Sequence, residues 1–432
     1  MQRVVWSELD QVGQWQALAR PKLRSDKRLR ERVGEIVDDV RVGGWAALCR
    51  QAQRLDGQRP RRVDTAPVAE AARRTLTAEQ LDAIELARRN IAAFHDGSHP
   101  ADLEVETMPG LRVRKVWRPI DRVGLYIPGG TTPLFSTLLM LALPARAAGV
   151  PEIVVATPPR PDGSIEPVLA LAASLCGIDT LWLVGGAQAI AALAFGAGDI
   201  PAVAKICGPG NAYVTEAKTR VSAMPGGPAI DMPAGPSELL VIADEGADPR
   251  TVATDLLSQA EHDSSAQVML VTTSEPLADA VDAALAEQLA TLPRAAIATE
   301  ALRNASTVLV GSLSTAIEVA NLYAPEHLAL AVADPAPLLD AVRSAGAVFA
   351  GRHAAETFGD YLAGSSHVLP TDGAARAWSG VSVQTFLKSI TIQEVSAAAA
   401  AALSGPAATL ARLEGLEAHA RAADSRREEV LS

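Results

Sequence analysis

Short apolar runs alternate with stretches of helical periodicity from Arg122 onward. Runs of this kind are typical of strands that are buried on both faces, and their alternation with helices predicts a parallel α/β fold. The predicted strands cover residues 123–127, 152–156, 181–184, a short segment around Ile206, 238–243, 267–272, 307–310, 328–332 and 347–350.

Helical spacing dominates both ends of the chain. Residues up to about 100 carry Arg, Glu and Ala at helical intervals, with breaks near Gly43-Gly44 and Arg59-Pro60. The residues after about 380 show a similar pattern. Between these ends, helices are predicted to begin at about Ala187 and to span 212–221.

The clearest helix is predicted over 249–260, with Asp248 as its cap and Pro249 at its first position. Gln259 and His262 project from neighbouring turns at the end of this segment. An amide oxygen and an imidazole nitrogen so placed can bind one metal ion. On spacing alone, a helix end with solvated polar groups is the favoured alternative.

Length, charge and cysteine content narrow the class of protein. The chain of 432 residues is too long for one hydrophobic core, so we expect two or three domains. A net charge of −11 argues against a general nucleic-acid partner. The three cysteines lack metal or redox spacing and favour a reducing compartment. With no signal-peptide pattern and no long apolar run, we expect a soluble cytoplasmic protein without a membrane partner.

Glycine-rich turns follow predicted strands at 129–130, 185–186 and 208–210. The backbone N–H groups of such turns can approach a phosphate at a helix N-terminus. None of the turns matches the dinucleotide fingerprint or a P-loop, so tight turns without a ligand are the alternative. Gln188 and Asn211 lie at the sheet edge where ligands dock in open α/β folds, although Asn211 as a simple cap explains its position equally well.

Carboxylates and histidines dominate after residue 239. Glu326 and His327 precede a predicted strand and offer two proton-transfer groups. Adjacent side chains of a regular strand point to opposite faces, so both reach one site only if the backbone turns there. The alternative is a surface carboxylate beside a buried imidazole. The pattern suggests a nucleotide-holding half before residue 239 and a metal or acid–base half after it.

Two further segments contribute candidate residues. The predicted polar loop 359–367 contains Asp360, a candidate metal ligand, and His367, which can bind or orient a polar substrate group. A turn-forming Asp360 is the alternative. Glu414 and His419 lie five residues apart on the predicted final helix, where a histidine is ordinarily just exposed.

Eight segments, taken together, resemble the histidinol dehydrogenase family, which catalyses the last step of histidine biosynthesis. They occur in the family's order and spacing from about residue 30 to 425, with minor departures at Ala197 and Ser366. The segments are RVGLYIPGG (122–130), VGGAQAIAALAFG (184–196), GPGNAYVTEAK (208–218), IDMPAGPSELLVIAD (230–244), DLLSQAEHD (255–263), YAPEHL (323–328), GDYLAGSSHVLPT (359–371) and EGLEAHA (414–420).

This resemblance implies one Zn²⁺ per subunit, although a nitrogen and oxygen ligand set does not exclude manganese or cobalt. The implied zinc ligands are Gln259, His262, Asp360 and His419. The implied substrate pocket comprises Ser237, Gln259, His262, His327, Asp360, His367, Glu414 and His419. The implied contacts to NAD come from Tyr126, Gln188 and Asn211.

The resemblance also implies two discontinuous Rossmann-like domains with parallel sheets, plus helical N- and C-terminal arms. The C-terminal arm is expected to enter the partner subunit of a homodimer and to complete the neighbouring active site. The corresponding boundaries are an N-terminal arm over 1–30, a metal and substrate domain over 31–121 with 240–380, an NAD-binding domain over 122–239 and a C-terminal dimerisation arm over 381–432.

The implied reaction is the four-electron oxidation of L-histidinol to L-histidine through histidinaldehyde, with two NAD⁺ consumed. His327 is expected to act as acid and base, and Glu326 to activate water. One alternative is a relative that oxidises another small alcohol, such as a sulfonated diol. A zinc hydrolase that needs no nicotinamide and a non-catalytic scaffold are the alternatives from other classes.

Overall fold

The computed structural model describes residues 1–20, 27–129, 134–233 and 235–431, with side chains as far as 426. Gly130 of the first glycine turn and Ala234 lie outside the described residues. The strands are β1 (Gln2–Val5), β2 (Arg61–Asp64), β3 (Leu103–Met108), β4 (Leu111–Pro119), β5 (Arg122–Tyr126), β6 (Glu152–Thr157), β7 (Thr180–Leu183), β8 (Lys205–Cys207), β9 (Ala229–Ile230), β10 (Glu238–Ala243), β11 (Gln267–Thr272), β12 (Ser306–Leu309), β13 (His327–Ala331), β14 (Ala347–Ala350) and β15 (Leu387–Val395).

Helices connect most of these strands. They are α1 (Gln11–Ala17), α2 (Lys27–Leu55), α3 (Thr65–Thr75), α4 (Ala78–Asp96), α5 (Phe135–Ala147), α6 (Pro167–Leu175), α7 (Gly186–Phe195), α8 (Ala212–Ser222), α9 (Pro249–Ala260), α10 (Glu275–Leu289), α11 (Ala295–Leu302), α12 (Leu313–Tyr323), α13 (Ala336–Leu339), α14 (Glu356–Tyr361), α15 (Ala397–Leu413) and α16 (Glu417–Leu431). Short 3₁₀ turns span Trp6–Glu8, Ala374–Arg376 and Val383–Phe386.

Two six-stranded sheets dominate the larger of two compact units, which comprises Met1–Ser98 and Asp121–Phe386. One sheet has the order β1-β12-β11-β10-β13-β14 with all neighbours parallel. The other has the order β2-β7-β6-β5-β8-β9, in which only β2 is antiparallel to its neighbour. The predicted α/β class with two parallel, Rossmann-like sheets is therefore confirmed.

Apolar strands place the core at the centre of each sheet. Every residue of β10 and β11 is buried, as expected of parallel strands covered on both faces. Helices α9, α10 and α11 contribute to one buried cluster with these strands, while α2, α7 and α8 pack on the other sheet. Among the described residues, no helix is both long enough and apolar enough to cross a membrane.

Two predicted domain boundaries differ from the strand pairing. Residues 31–121 were expected to join 240–380, but β2 pairs with β7 of the other sheet, and α2 packs on α7 and α8. The expected helical arm 1–30 contains β1, which pairs with β12. Both strands have only four residues and lie at sheet edges, so they lack the long apolar runs that marked the central strands.

The second unit comprises His99–Ile120 and the C-terminal residues from Leu387. It contains an antiparallel sheet of order β15-β4-β3, with α15 and α16 packed against each other. The arm over 381–432 was predicted to be helical, but β15 occupies Leu387–Val395 before α15 and α16 begin. Residues 99–120 were predicted to belong to the metal and substrate domain. They instead form β3 and β4 of this antiparallel sheet.

Candidate functional site

A cavity of about 170 Å³ in the first unit brings together most of the predicted site residues. The predicted residues that line it are Ser237, Gln259, His262, Glu326, His327, Asp360 and His367. Glu356, Lys218 and Asp231 also line it, although the sequence did not point to them. The walls come from the starts of β10 and β13, the end of α9 and the short helix α14.

The backbone of Glu238 holds the two predicted catalytic residues. Its N–H donates to Glu326 Oε2 at 2.9 Å, and its carbonyl oxygen lies 3.1 Å from His327 Nδ1. The Glu238 carboxylate is fixed in turn by two hydrogen bonds from Arg20, at 2.5 and 2.8 Å, and by one from the Asp372 N–H. Because β10 and β13 pair in parallel, the start of β10 fixes the position of the residues that begin β13.

His327 presents a basic nitrogen to the cavity. A carbonyl oxygen can only accept a hydrogen bond, so the contact to Glu238 assigns the proton to Nδ1 and leaves Nε2 unprotonated. Nε2 is buried and has no hydrogen-bond partner among the described residues. Burial lowers the pKa of His327 to about 3, so the ring is neutral. Because Nε2 is unprotonated and unpartnered, it can accept a hydrogen bond from a ligand bound in the cavity.

Glu326 lies in the same cavity because it precedes the regular strand. β13 begins at His327, so the alternation that would send the two side chains to opposite faces does not apply to Glu326. The side chain is 5% exposed, and burial raises the pKa of its carboxyl well above the usual range. The alternative of a surface carboxylate at Glu326 is therefore wrong.

Glu356 is a buried carboxylate that the sequence did not reveal. Its Oε1 lies 3.4 Å from His327 Nδ1, while Oε2 is buried without a hydrogen-bond partner among the described residues. Burial raises the pKa of this carboxyl well above its usual range. The signal in the sequence was the four-residue spacing from Glu356 to Asp360, which places both on one face of α14. The segment from 359 was instead predicted to be a loop, and that prediction is wrong for Asp360.

Gln259, His262 and Asp360 offer oxygen and nitrogen atoms to one cavity. Gln259 is only 1% exposed, and its buried Oε1 atom has no hydrogen-bond partner among the described residues. Helix α9 ends at Ala260, so His262 lies in the following turn and is exposed at the cavity mouth. Burial raises the pKa of Asp360 to about 7. A buried amide oxygen without a partner fits a cation, since leaving it unpaired is otherwise costly.

A second candidate set of metal ligands overlaps the predicted one at Asp360. His327, Glu356 and Asp360 each place one ligand atom within 4.8 Å of the others. The Nε2 of His327 lies 3.8 Å from Asp360 Oδ1, which is too long for a hydrogen bond. The cavity therefore contains more potential ligands than one tetrahedral ion requires.

His367 has partners on both ring nitrogens. Its Nδ1 lies 3.0 Å from the Asp360 carbonyl oxygen and donates to it, and the Thr137 hydroxyl, at 2.9 Å, donates to Nε2. Burial lowers the pKa of the ring to about 4. These contacts tie the end of α14 to α5. The predicted substrate contact of His367 is untested by this geometry.

Glu414 and His419 belong to the second unit and are not on one helix. Glu414 caps the end of α15, while His419 lies in α16. Gly415 between them has φ +74°, a left-handed conformation that ends the first helix. Their predicted roles toward zinc and substrate stay predictions.

A second cavity of about 350 Å³ brings together the three residues predicted to contact NAD. Tyr126 ends β5, Gln188 lies in the first turn of α7, and the Asn211 side chain caps α8 by accepting from the Tyr213 and Val214 N–H groups. Asp56 and Arg32 also line this cavity. Asn211 both caps α8 and lines the cavity, so its role as a cap does not exclude a contact with a ligand.

The amides of two glycine turns are already hydrogen-bonded within the protein. Gly185 N–H donates to Asp56 Oδ2 at 3.0 Å, and Gly186 N–H donates to the Tyr126 hydroxyl at 3.1 Å. Gly208 N–H donates to Asp231 Oδ2 at 2.7 Å. These amides are therefore not free to bind a phosphate, contrary to what glycine-rich turns suggested.

One loop separates the two cavities. Gly208 and Pro209 line the first cavity, and Asn211 lines the second. Buried Lys218 holds the loop, because its ammonium donates to Asp231 at 2.5 Å and to the Gly208 carbonyl at 2.7 Å. A group bound in one cavity is thus close to a group bound in the other.

Comparisons with known proteins agree with this arrangement. A family model described as histidinol dehydrogenase matches residues 18–427. A histidinol dehydrogenase from Xylella fastidiosa (strain Temecula1) is 47% identical over 423 residues, covering 98% of each chain. One from Vibrio vulnificus (strain CMCP6) is 45% identical over 432 residues, covering 100% of this chain and 99% of the relative. The crystal structure of a histidinol dehydrogenase from Elizabethkingia anophelis has a TM-score of 0.95 at 39% identity, covering 100% of this chain and 99% of that chain.

Two parallel sheets with adjoining cavities, one of them lined by a neutral histidine and buried carboxylates, define an α/β protein with an acid–base centre. Near-complete matches to one family then make the assignment specific. The chain belongs to the histidinol dehydrogenase family. Membership of that family supports the oxidoreductase class.

Proposed function

We propose that the protein oxidises L-histidinol to L-histidine through histidinaldehyde in the last step of histidine biosynthesis, with two NAD⁺ consumed. The observation that carries this proposal is the buried, unprotonated and unpartnered Nε2 of His327 beside Glu326 in one cavity. An alcohol oxidation needs a base for the hydroxyl proton, and hydration of an aldehyde needs one for water. Both groups are hydrogen-bonded to the backbone of the same residue, Glu238.

In the first oxidation, His327 Nε2 takes the proton of the alcohol while the carbinol carbon loses hydride to NAD⁺, which leaves the aldehyde. Glu326 then takes a proton from water as the water oxygen adds to the aldehyde carbon, and the protonated His327 gives its proton to the former carbonyl oxygen, which yields the neutral hydrate. In the second oxidation, His327, having released its first proton, takes one from the hydrate while hydride leaves for a second NAD⁺. The product is the carboxylic acid. The Glu238 carbonyl holds the His327 ring in position throughout, and Glu356 Oε1 lies beside the same nitrogen at 3.4 Å.

We also propose that Gln259, His262, Asp360 and His419 hold one Zn²⁺. The unpartnered Gln259 oxygen supports a cation at the cavity, and the nitrogen and oxygen donors suit zinc. When bound, zinc supplies a fixed anchor for the imidazole and amino nitrogens of histidinol. Ser237 and His367 complete the pocket within the first unit, and Glu414 adds a carboxylate from the C-terminal arm.

A homodimer would bring Glu414 and His419 of one subunit to the partner's cavity. Exposed leucines in the second unit support a contact with another copy, since Leu410 and Leu413 are 64% and 79% exposed. Subunit complementation tests this proposal. Mixed dimers of His262→Asn and His419→Asn chains would regain one intact site if the arms are exchanged. They would stay inactive if each arm served its own subunit.

The proposed activity is tested with a substrate panel and zinc-loaded protein. We expect NAD⁺-dependent oxidation of L-histidinol and of histidinaldehyde, and loss of the activity after chelation of zinc. Preferred oxidation of a sulfonated diol would identify a different alcohol as substrate. Ester or amide turnover without NAD⁺ would support the hydrolase alternative. Cytoplasmic location likewise stays a proposal, supported by three free cysteines.

A further inference from the structure

Asp56 is a carboxylate whose position α2 itself does not explain. It directly follows the last residue of α2, and its N–H donates to the Ala52 carbonyl at 2.7 Å. The C-terminal end of a helix carries a partial negative charge, so an aspartate there is unfavourable for the helix. The contacts beyond α2 therefore have to account for the residue.

Those contacts are with uncharged donors. Asp56 accepts from the Gly185 N–H at 3.0 Å and from Gln188 Nε2 at 3.2 and 3.3 Å. Gly185 is the N-cap of α7 and has no side chain to cap it, so Asp56 supplies that cap from a distant part of the chain. No ion pair to Asp56 occurs within the part of the chain that the structure describes. Although burial raises the pKa of the Asp56 carboxyl, no cation is paired with it in the cavity that it lines, among the described residues.

This arrangement reverses the usual chemistry of a glycine turn before a helix. The Gly185 and Gly186 amides are occupied by Asp56 and Tyr126, so the turn offers the cavity an acceptor with negative charge instead of free N–H donors. A phosphate would be repelled there, whereas ribose hydroxyls can donate to the carboxylate. Arg32, which lines the same cavity, is the cation suited to phosphates.

Strand order identifies which ribose of a dinucleotide reaches Asp56. The cavity with His327 is lined by the loop after β8 and by residues after β9, so the nicotinamide has to lie at that side of the sheet. Asp56 lies at the turn after β7, which is separated from β8 by β6 and β5. Three strand spacings correspond to about 14 Å. A dinucleotide with its nicotinamide beside β8 therefore presents its adenosine half to Asp56.

We infer that Asp56 accepts the adenosine ribose hydroxyls and thereby selects NAD⁺ over NADP⁺, whose 2′-phosphate would face its negative charge. This inference rests on the proposed NAD dependence and deepens it. Asp56 thus has two roles: it caps α7 through Gly185 and sets the choice of cofactor.

The test is Asp56→Asn in the zinc-loaded full chain, which keeps the shape and one acceptor oxygen but removes the charge. We expect the ratio of kcat/KM for NADP⁺ to that for NAD⁺ to rise by about tenfold or more. Asp64→Asn is the matched control, because Asp64 is exposed at the end of β2 and does not line the cavity. An equal fall with both cofactors, leaving the ratio unchanged, would reduce Asp56 to a cap and overturn the inference.

A binding measurement on the unmodified protein separates this inference from the proposed reaction. Calorimetry should give tighter binding of 5′-AMP than of 2′,5′-ADP, irrespective of turnover. Equal or tighter binding of 2′,5′-ADP would contradict the role of Asp56 even in an active enzyme. Conversely, a preference for 5′-AMP in a protein that does not oxidise histidinol would leave the inference standing and remove the proposed function.

Discussion

The two cavities on either side of the Gly208–Asn211 loop differ in how their polar groups are paired. In the cavity with His327, buried nitrogen and oxygen atoms of His327, Gln259 and Glu356 lack partners among the described residues. In the cavity with Tyr126, the turn amides, the Tyr126 hydroxyl and the Asp56 carboxylate are bonded to one another, while Gln188 Oε1 is buried without a partner among the described residues. The first cavity thus has unpartnered buried atoms on three of these side chains, whereas the second has one on Gln188.

This difference indicates how tightly each cavity should hold its ligand. An unpartnered buried polar atom costs about 1–3 kcal/mol, so a ligand that pairs such atoms gains that free energy on binding. A cavity with fewer unpartnered atoms gains less free energy in this way. We therefore expect the metal and substrate to be held firmly, and the nucleotide to be exchanged readily, as a reaction with two successive NAD⁺ requires.

The largest effect on one cavity alone is expected from His262→Asn. It removes a predicted ligand at the mouth of the first cavity, so zinc and activity should be lost together while the second cavity is untouched. Zinc content by mass spectrometry and NADH formation measure the two losses. His353→Asn is the control, since His353 is exposed and does not line the cavity. A variant with full zinc content would contradict the ligand assignment.

His327→Asn removes the basic nitrogen but keeps a polar side chain. We expect turnover to fall by about 10²–10⁴-fold with a much smaller change in histidinol binding. The reason is that a general base acts on the proton that is transferred in the transition state. Steady-state kcat and a direct binding measurement distinguish the two effects. An equal loss in turnover and binding would make His327 a binding residue only.

Glu326→Gln separates the two oxidations. The first oxidation does not need activated water, so it should continue, whereas the aldehyde should persist because its hydration is slowed. Rapid-quench analysis of histidinaldehyde would follow this intermediate, and exposed Glu318→Gln is the control. If both oxidations slowed to the same extent, water activation by Glu326 would be wrong.

The smallest effect is expected from Glu356→Gln. Loss of the carboxyl group beside His327 Nδ1 should lower kcat by about 10–100-fold, as for other residues that orient a catalytic group. KM and zinc content should stay close to those of the parent protein, and Glu356→Asp should recover part of the rate. A loss of zinc would instead support the alternative ligand set of His327, Glu356 and Asp360.

The sequence predicted the central strands well because their burial leaves a local mark. The run Glu238–Ala243 is apolar after its first residue and forms β10 with the predicted bounds. Strand β3, by contrast, alternates Leu, Glu, Val and Glu and is mostly exposed, so it has no such run. Edge strands gain their structure from pairing with distant segments, which periodicity cannot detect.

The same distinction applies to the site. Glu326 and His327 were visible as candidates because they are adjacent in the chain, although only the start of β13 could decide whether both face one cavity. Glu356, Arg20 and Asp56 were missed, since each acts through contacts with residues far away in sequence. Glu238 was overlooked for a further reason, namely that its backbone rather than its side chain holds the catalytic pair.

The central claim is that one cavity carries out both oxidations of the same carbon. Its most direct test is the number of NADH molecules formed per L-histidinol consumed by zinc-loaded protein. We expect about two, with histidine as the product, because each two-electron oxidation reduces one nicotinamide. A ratio of one, with free aldehyde released, would contradict it.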